Sequence, residues 1–162
     1  MIVISDNSAL SCLAEMGEVE LLYRLYGRVS VTESVRREAR HPGAPKSLRG
    51  LFSHLPSWIS VVEDELPFLE ETGALDAGEA SSITLAWQHR DSCLLILDEK
   101  RGRKVATGLG LKITGTAGLL TDAAAAGLID FDDAFLRLAQ TGFRLSPQVV
   151  ESLRRSLIHR KT

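Results

Sequence analysis

Ile2-Val3-Ile4-Ser5-Asp6-Asn7-Ser8-Ala9-Leu10 begins as an apolar, β-branched run too short for a helix, meets an acid, and continues with helical spacing. A second run of the same kind, Leu94-Leu95-Ile96-Leu97-Asp98, leads into helical spacing at 101–109. Further short runs at 29–31, 59–62 and 111–113 alternate with helical segments at 8–16, 19–26, 32–40, 76–89 and 118–126. Strands that alternate with helices imply a parallel sheet, right-handed crossovers and helices on both faces. The predicted fold is a three-layer α/β/α sandwich with a central parallel sheet over about residues 1–127. Residues 128–162 carry two more amphipathic stretches, 131–139 and 147–158, and read as a helical C-terminal extension with Ser146-Pro147 as a start signal. His41-Pro42-Gly43-Ala44-Pro45-Lys46 reads as a loop.

The chain has 162 residues, 44% hydrophobic and 25% charged, which suits one globular domain and leaves too little for a second core. Cys12 and Cys93 form neither a disulfide framework nor a CxxC motif, as expected of a reducing cytoplasm. The first residues lack the basic region of a signal peptide, and no apolar run approaches the roughly 18 residues of a membrane span. A cytoplasmic protein without membrane attachment is expected. Lys and Arg total 19 against 21 Asp and Glu, a net charge of −2, so any contact with nucleic acid must be local. The basic clusters are 100–104, Arg36-Arg37 with Arg40, and 154–161, each of which also reads as a solvated helix face.

Acids stand where a parallel sheet binds ligands, beyond the carboxyl ends of its strands. Asp6 and Asp98 each end a strand run, Glu38 lies in the helix after the second strand, and Glu79 lies in the first turn after Leu75-Asp76-Ala77-Gly78. Four carboxylates brought together repel one another unless a cation intervenes. Oxygen ligands without His or Cys suit Mg²⁺ or Mn²⁺, and the chemistry such a site performs is metal-assisted phosphodiester hydrolysis. Each acid also has a local reading. Asp6 and Asp98 can cap the helices that follow them, Asp76 with Glu79 has capping-box spacing, and Glu38 can face solvent. His41, His54, His89 and His159 lack zinc spacing, and P-loop, dinucleotide and nucleophile-elbow motifs are absent.

Five stretches in order carry a family resemblance: Val3-Ile4-Ser5-Asp6-Asn7-Ser8-Ala9-Leu10, Val31-Thr32-Glu33-Ser34-Val35-Arg36-Arg37-Glu38, Leu75-Asp76-Ala77-Gly78-Glu79-Ala80, Leu97-Asp98-Glu99-Lys100-Arg101-Gly102-Arg103 and Ile113-Thr114-Gly115-Thr116-Ala117-Gly118-Leu119-Leu120. With the turn Gly142-Phe143-Arg144-Leu145-Ser146 they span nearly the whole chain, which resembles a PIN-domain protein of the DUF3368 group, related to VapC-type toxin nucleases. The resemblance implies a Mg²⁺- or Mn²⁺-dependent endoribonuclease whose acidic positions are Asp6, Glu38, Glu79 and Asp98, with Ser8 as the supporting hydroxyl. Asn7 and Glu99 depart from the usual pattern, Glu99 competes with Asp98 as the fourth ligand, and Glu33 competes with Glu38 as the second. Arg101, Arg103 and Lys104 directly follow Asp98 and are expected to hold the phosphate backbone. The resemblance further implies an RNA substrate, a small antitoxin partner and a homodimer. The rival expectation is a catalytically inactive module that binds RNA or protein.

Overall fold

The computed structural model describes residues 1–161, so Thr162, the last residue of the expected extension, lies outside the described residues. Five strands, β1 (Ile2–Ser5), β2 (Val29–Thr32), β3 (Ile59–Val62), β4 (Cys93–Ile96) and β5 (Ile113–Thr114), pair in parallel in the order β3-β2-β1-β4-β5. Nine α-helices occur among the described residues: α1 (Asn7–Met16), α2 (Glu20–Tyr26), α3 (Glu33–Ala39), α4 (Lys46–Ser53), α5 (Ala77–Gln88), α6 (Lys100–Gly108), α7 (Thr116–Ala125), α8 (Phe131–Gln140) and α9 (Pro147–Lys161).

Period-two alternation in the central strands feeds two cores. Val3, Leu94 and Ile96 face a core shared with α1, α2, α3, α4, α7 and α8, while Ile4, Cys93, Leu95 and Leu97 face a smaller one built on α5 and α6. All four residues of β4 are buried, as a strand covered on both faces requires. This is the expected three-layer sandwich. The chain builds outward from β1 through β2 to β3, then crosses back and lays β4 on the other side of β1. The order of strands therefore reverses between β1 and β4, and that crevice is where a parallel sheet presents a ligand site.

Some boundaries differ from the sequence reading. β5 is Ile113–Thr114, later than the apolar run at 111–113, because Leu111 packs into the smaller core ahead of the ladder. α4 was not expected. It starts after Pro45 without a side-chain cap, and tertiary burial of Leu48 and Phe52 one turn apart stabilises it. α7 begins at Thr116, earlier than 118, because a carboxylate from a neighbouring strand caps it.

The expected extension is helical and folds into the larger core through Phe131, Ala134, Phe135, Leu138 and Leu157. Arg137 ties α8 to the α1–α2 turn, donating to Met16 O at 3.1 Å and to Glu18 Oε1 at 2.8 Å. The C-terminal basic cluster is partly committed internally, with Arg154 paired to Asp132 and Glu151 and Arg160 to Asp122. Among the described residues no helix is long and apolar enough to cross a membrane.

Candidate functional site

The two strand-end acids stand side by side at the reversal point. The Asp6 amide continues the β1–β4 ladder by donating to Ile96 O at 3.2 Å, which fixes where its side chain emerges. Its carboxylate caps α1, and Oδ1 accepts from the Ser8 amide at 3.1 Å and the Ser8 hydroxyl at 2.7 Å. Ser8 Oγ in turn accepts from the Asp98 amide at 3.1 Å, so one hydroxyl bridges both strand ends. Asp98 does not cap α6. Its Oδ1 accepts from the Thr116 amide at 2.7 Å and its Oδ2 from the Thr116 hydroxyl at 2.6 Å. A carboxylate thus occupies the amino end of α7, where its charge is favourable.

The other acids come from helices. Glu38, in the last turn of α3, accepts from the Gly78 amide at 3.0 Å through Oε1. Asp76 caps α5 by accepting from the Glu79 amide at 2.8 Å, which is half of the expected capping box. Glu79 is 9% exposed, and its Oε2 is buried without a hydrogen-bond partner. A Cβ at Gly102 would stand 2.5 Å from that oxygen, so a larger residue there would displace the Glu79 carboxylate from its present position. Asp6, Glu38, Asp76, Glu79, Asp98 and Glu99 all line one cavity of about 910 Å³. Capping and convergence, read as rivals in the sequence, coexist here: Asp6 and Asp76 cap helices and still face the cavity.

Crowding perturbs the ionisation of these groups. Burial, then the charges of Asp98 and Asp76, outweigh the Ser8 hydrogen bonds and push the Asp6 carboxyl up to about 7. Burial, then Asp76 and the charges of Asp6 and Glu99, push Glu79 up to about 8. Glu38 is also raised, chiefly by burial, with the Gly78 amide opposing.

The structure places the members of the two competing pairs differently. Glu33 is held by Arg36 at 2.5 Å and does not line the cavity, whereas Glu38 does. Asp98 is half-buried and fixed, while Glu99 is exposed at the rim. Of the expected phosphate-holding residues, Arg103 donates from Nη1 to Leu97 O at 2.9 Å, and Arg101 and Lys104 are exposed outside the cavity lining. The cations that do line it are Lys100 and Arg144. Arg144 was missed because its turn lies far along the chain; its place in the Gly142-Phe143-Arg144 stretch was the available signal.

Among the described residues no three Asp, Glu, His or Cys side chains are gathered closely enough to hold a metal ion as they stand. By chemistry the donors suit a hard divalent cation: all are carboxylate oxygens, one of them is buried and orphaned, and two carboxyls are pushed up by burial and then by neighbouring acids. Asp98 is the best anchored of the set. Thr116→Val removes the hydroxyl on its Oδ2 and should cost about 1–3 kcal/mol, lowering Tm by several degrees at about 2–4 °C per kcal/mol. Unchanged thermal melting would show that the contact is inconsequential.

A family model described as a PIN domain, DUF3368, matches residues 2–158. No curated protein and no solved structure matches the chain.

Proposed function

The chain belongs to the DUF3368 family of PIN domains, and from that membership and the acid-lined cavity we propose that it is a divalent-metal-dependent endoribonuclease. PIN domains are generally nucleases, which supports the reaction class; a fold does not by itself carry a function, so the side chains must supply the rest of the argument. The observation that supports the reading most is Glu79 Oε2, a buried carboxylate oxygen without a partner beside Asp6 at the strand-order reversal.

Asp6, Glu38, Glu79 and Asp98 are the residues that would hold Mg²⁺ or Mn²⁺. When bound, such an ion activates a water and neutralises charge at the leaving oxygen. The chain's own work is positional. Ser8 locks Asp6 and the Asp98 backbone together, Thr116 orients Asp98, and Gly78 orients Glu38. Lys100 and Arg144 supply positive charge on the rim for the phosphates on either side of the cut.

Incubating the purified chain with RNA should give cleavage with Mg²⁺ or Mn²⁺ and none in EDTA. Lys100→Ala with Arg144→Ala should weaken RNA binding and reduce the slope of log affinity against log salt by about two, roughly one for each cation lost. An unchanged slope would remove both residues from the phosphate path. The resemblance to toxin nucleases supports a further element, a small antitoxin that covers the cavity and holds the enzyme inactive; copurification of a short protein expressed from the neighbouring gene tests it.

One observation favours a non-cutting RNA- or protein-binding module instead: three of the four acids already satisfy an amide or hydroxyl, and no three are gathered around a point. No cleavage with either metal, together with no rise in Tm on adding them, would decide for that module.

A further inference from the structure

Beyond the acid-lined cavity lies a second one of about 450 Å³, beneath the turn between α8 and α9. The two are adjacent, since Asp98, Phe143 and Arg144 line both. Their character differs. The second is walled by the aliphatic side chains of Leu145 and Val149 and the small surfaces of Gly115 and Gly118, with one fixed cation, Arg103. A Cβ at Gly115 would stand 2.6 Å from Asp98 Oδ1 and 2.7 Å from Arg103 Nη1, so glycine keeps the junction between the cavities clear of side-chain atoms. Phe143 is half-buried there and belongs to neither of the ring pairs among the described residues, Tyr23–Trp58 and Phe131–Phe135. Arg144 is exposed and, among the described residues, makes no ion pair, unlike Arg36, Arg137, Arg154 and Arg160.

We propose that this second cavity receives one nucleobase of an unpaired strand, stacked on Phe143, while the adjoining phosphate lies between Arg144 and the acid-lined cavity. The volume falls at the low end of the range for small-ligand sites, which suits a single nucleoside. An apolar wall with an aromatic ring and flanking guanidinium groups is the chemistry that takes an unstacked base and its phosphate. A base paired and stacked inside a duplex cannot enter such a cavity, so the cavity selects single strands, loops and bulges. The proposal rests on the nuclease reading for the identity of the ligand, and it commits to nucleic acid because the two guanidinium groups match phosphate; an apolar protein side chain in the cavity is the competing occupant.

The test is fluorescence anisotropy with the full chain in EDTA, where the nuclease reading predicts no cutting, using a short labelled single-stranded RNA and the same strand annealed to its complement. Phe143→Ala should weaken single-strand binding by about tenfold while leaving duplex binding nearly unchanged, and Phe143→Tyr should retain wild-type affinity. Val149→Trp, at an exposed position on the cavity wall, should reproduce the loss by filling the cavity, which covers the case that Phe143→Ala folds poorly. Equal affinity of wild type and Phe143→Ala for the single strand, an equal loss on both strands, or no RNA binding at all would each overturn the proposal. The nuclease reading fails separately: a wild-type chain that never cuts, yet shows the Phe143-dependent preference, loses the catalytic function and keeps the base site.

Discussion

Asp6→Asn should lower RNA cleavage by about 10³-fold or more and leave the fold standing. The loss follows from what Asp6 does and what amide nitrogen cannot do. Its carboxylate is 3% exposed at the strand-order reversal, next to Asp98 and Glu79, and is the acid most directly placed to share a cation with both. Removing a ligand that helps fix the charge at the reacting phosphate forfeits roughly 4 kcal/mol of transition-state stabilisation, which is about 10³ in rate. The fold survives because asparagine keeps an oxygen acceptor of the same shape for the Ser8 amide and hydroxyl, so α1 remains capped. Single-turnover cleavage with Mn²⁺ alongside thermal melting separates the two effects. Retained Mn²⁺-dependent cleavage by Asp6→Asn would end the assignment of Asp6, and a collapse in Tm would reduce its role to helix capping.

The same residue illustrates how far the sequence could be read. Strand-end acids were legible because a short, continuous apolar run and the switch to helical spacing mark the place where a strand stops, and Asp6 and Asp98 follow such stops. What those acids touch was not legible. The local alternative for Asp98, a cap on the helix beginning near Arg101, does not occur; it reaches across to Thr116, a contact between residues 18 apart that depends on β4 and β5 lying side by side. Asp76 looked like a cap and is one, but its position on the cavity wall depends on α5 packing against α3. The basic residues show the same limit: adjacency to Asp98 in the chain singled out Arg101, Arg103 and Lys104, whereas in the structure Arg101 and Lys104 are exposed outside the acid-lined cavity, Arg103 lines the one beside it, and Arg144 joins both from a turn near the C-terminus. Glu33 and Glu38 could not be told apart in the sequence; in the structure Arg36 pairs with Glu33 while Glu38 lines the cavity. Local signals set the strands, helices and caps, while the site depends on which ends meet.

Without divalent metal, the protein should lose stability as pH rises from about 4 to 8. Asp6 and Glu79 hold their protons more tightly folded than unfolded, with carboxyls pushed up from 3.8 to about 7 and from 4.5 to about 8. A raised carboxyl pKa means that folding takes up a proton, so the favourable contribution is complete below the unfolded values and is gone once pH passes the folded ones. Glu33, pulled down by Arg36, works in the opposite sense but below its ordinary 4.5, at the acid edge of this window. A loss of about 2 kcal/mol across the window would lower Tm by roughly 4–8 °C in a chain of this length. Glu79→Gln removes the most strongly raised carboxyl while keeping the side chain's size. In EDTA it should match the wild type near pH 4, exceed it by several degrees at pH 8, and flatten the slope between. Mn²⁺ should restore the wild type at pH 8, by about 2.7 kcal/mol at a hundredfold excess over its Kd, and should do less for the variant, which has already lost the charge that the cation compensates. Melting curves at four pH values with EDTA or Mn²⁺ settle the point: a wild-type Tm that climbs from pH 5 to 8 in EDTA would mean that these carboxyls ionise freely and that no charge is stored in the cavity for a cation to relieve.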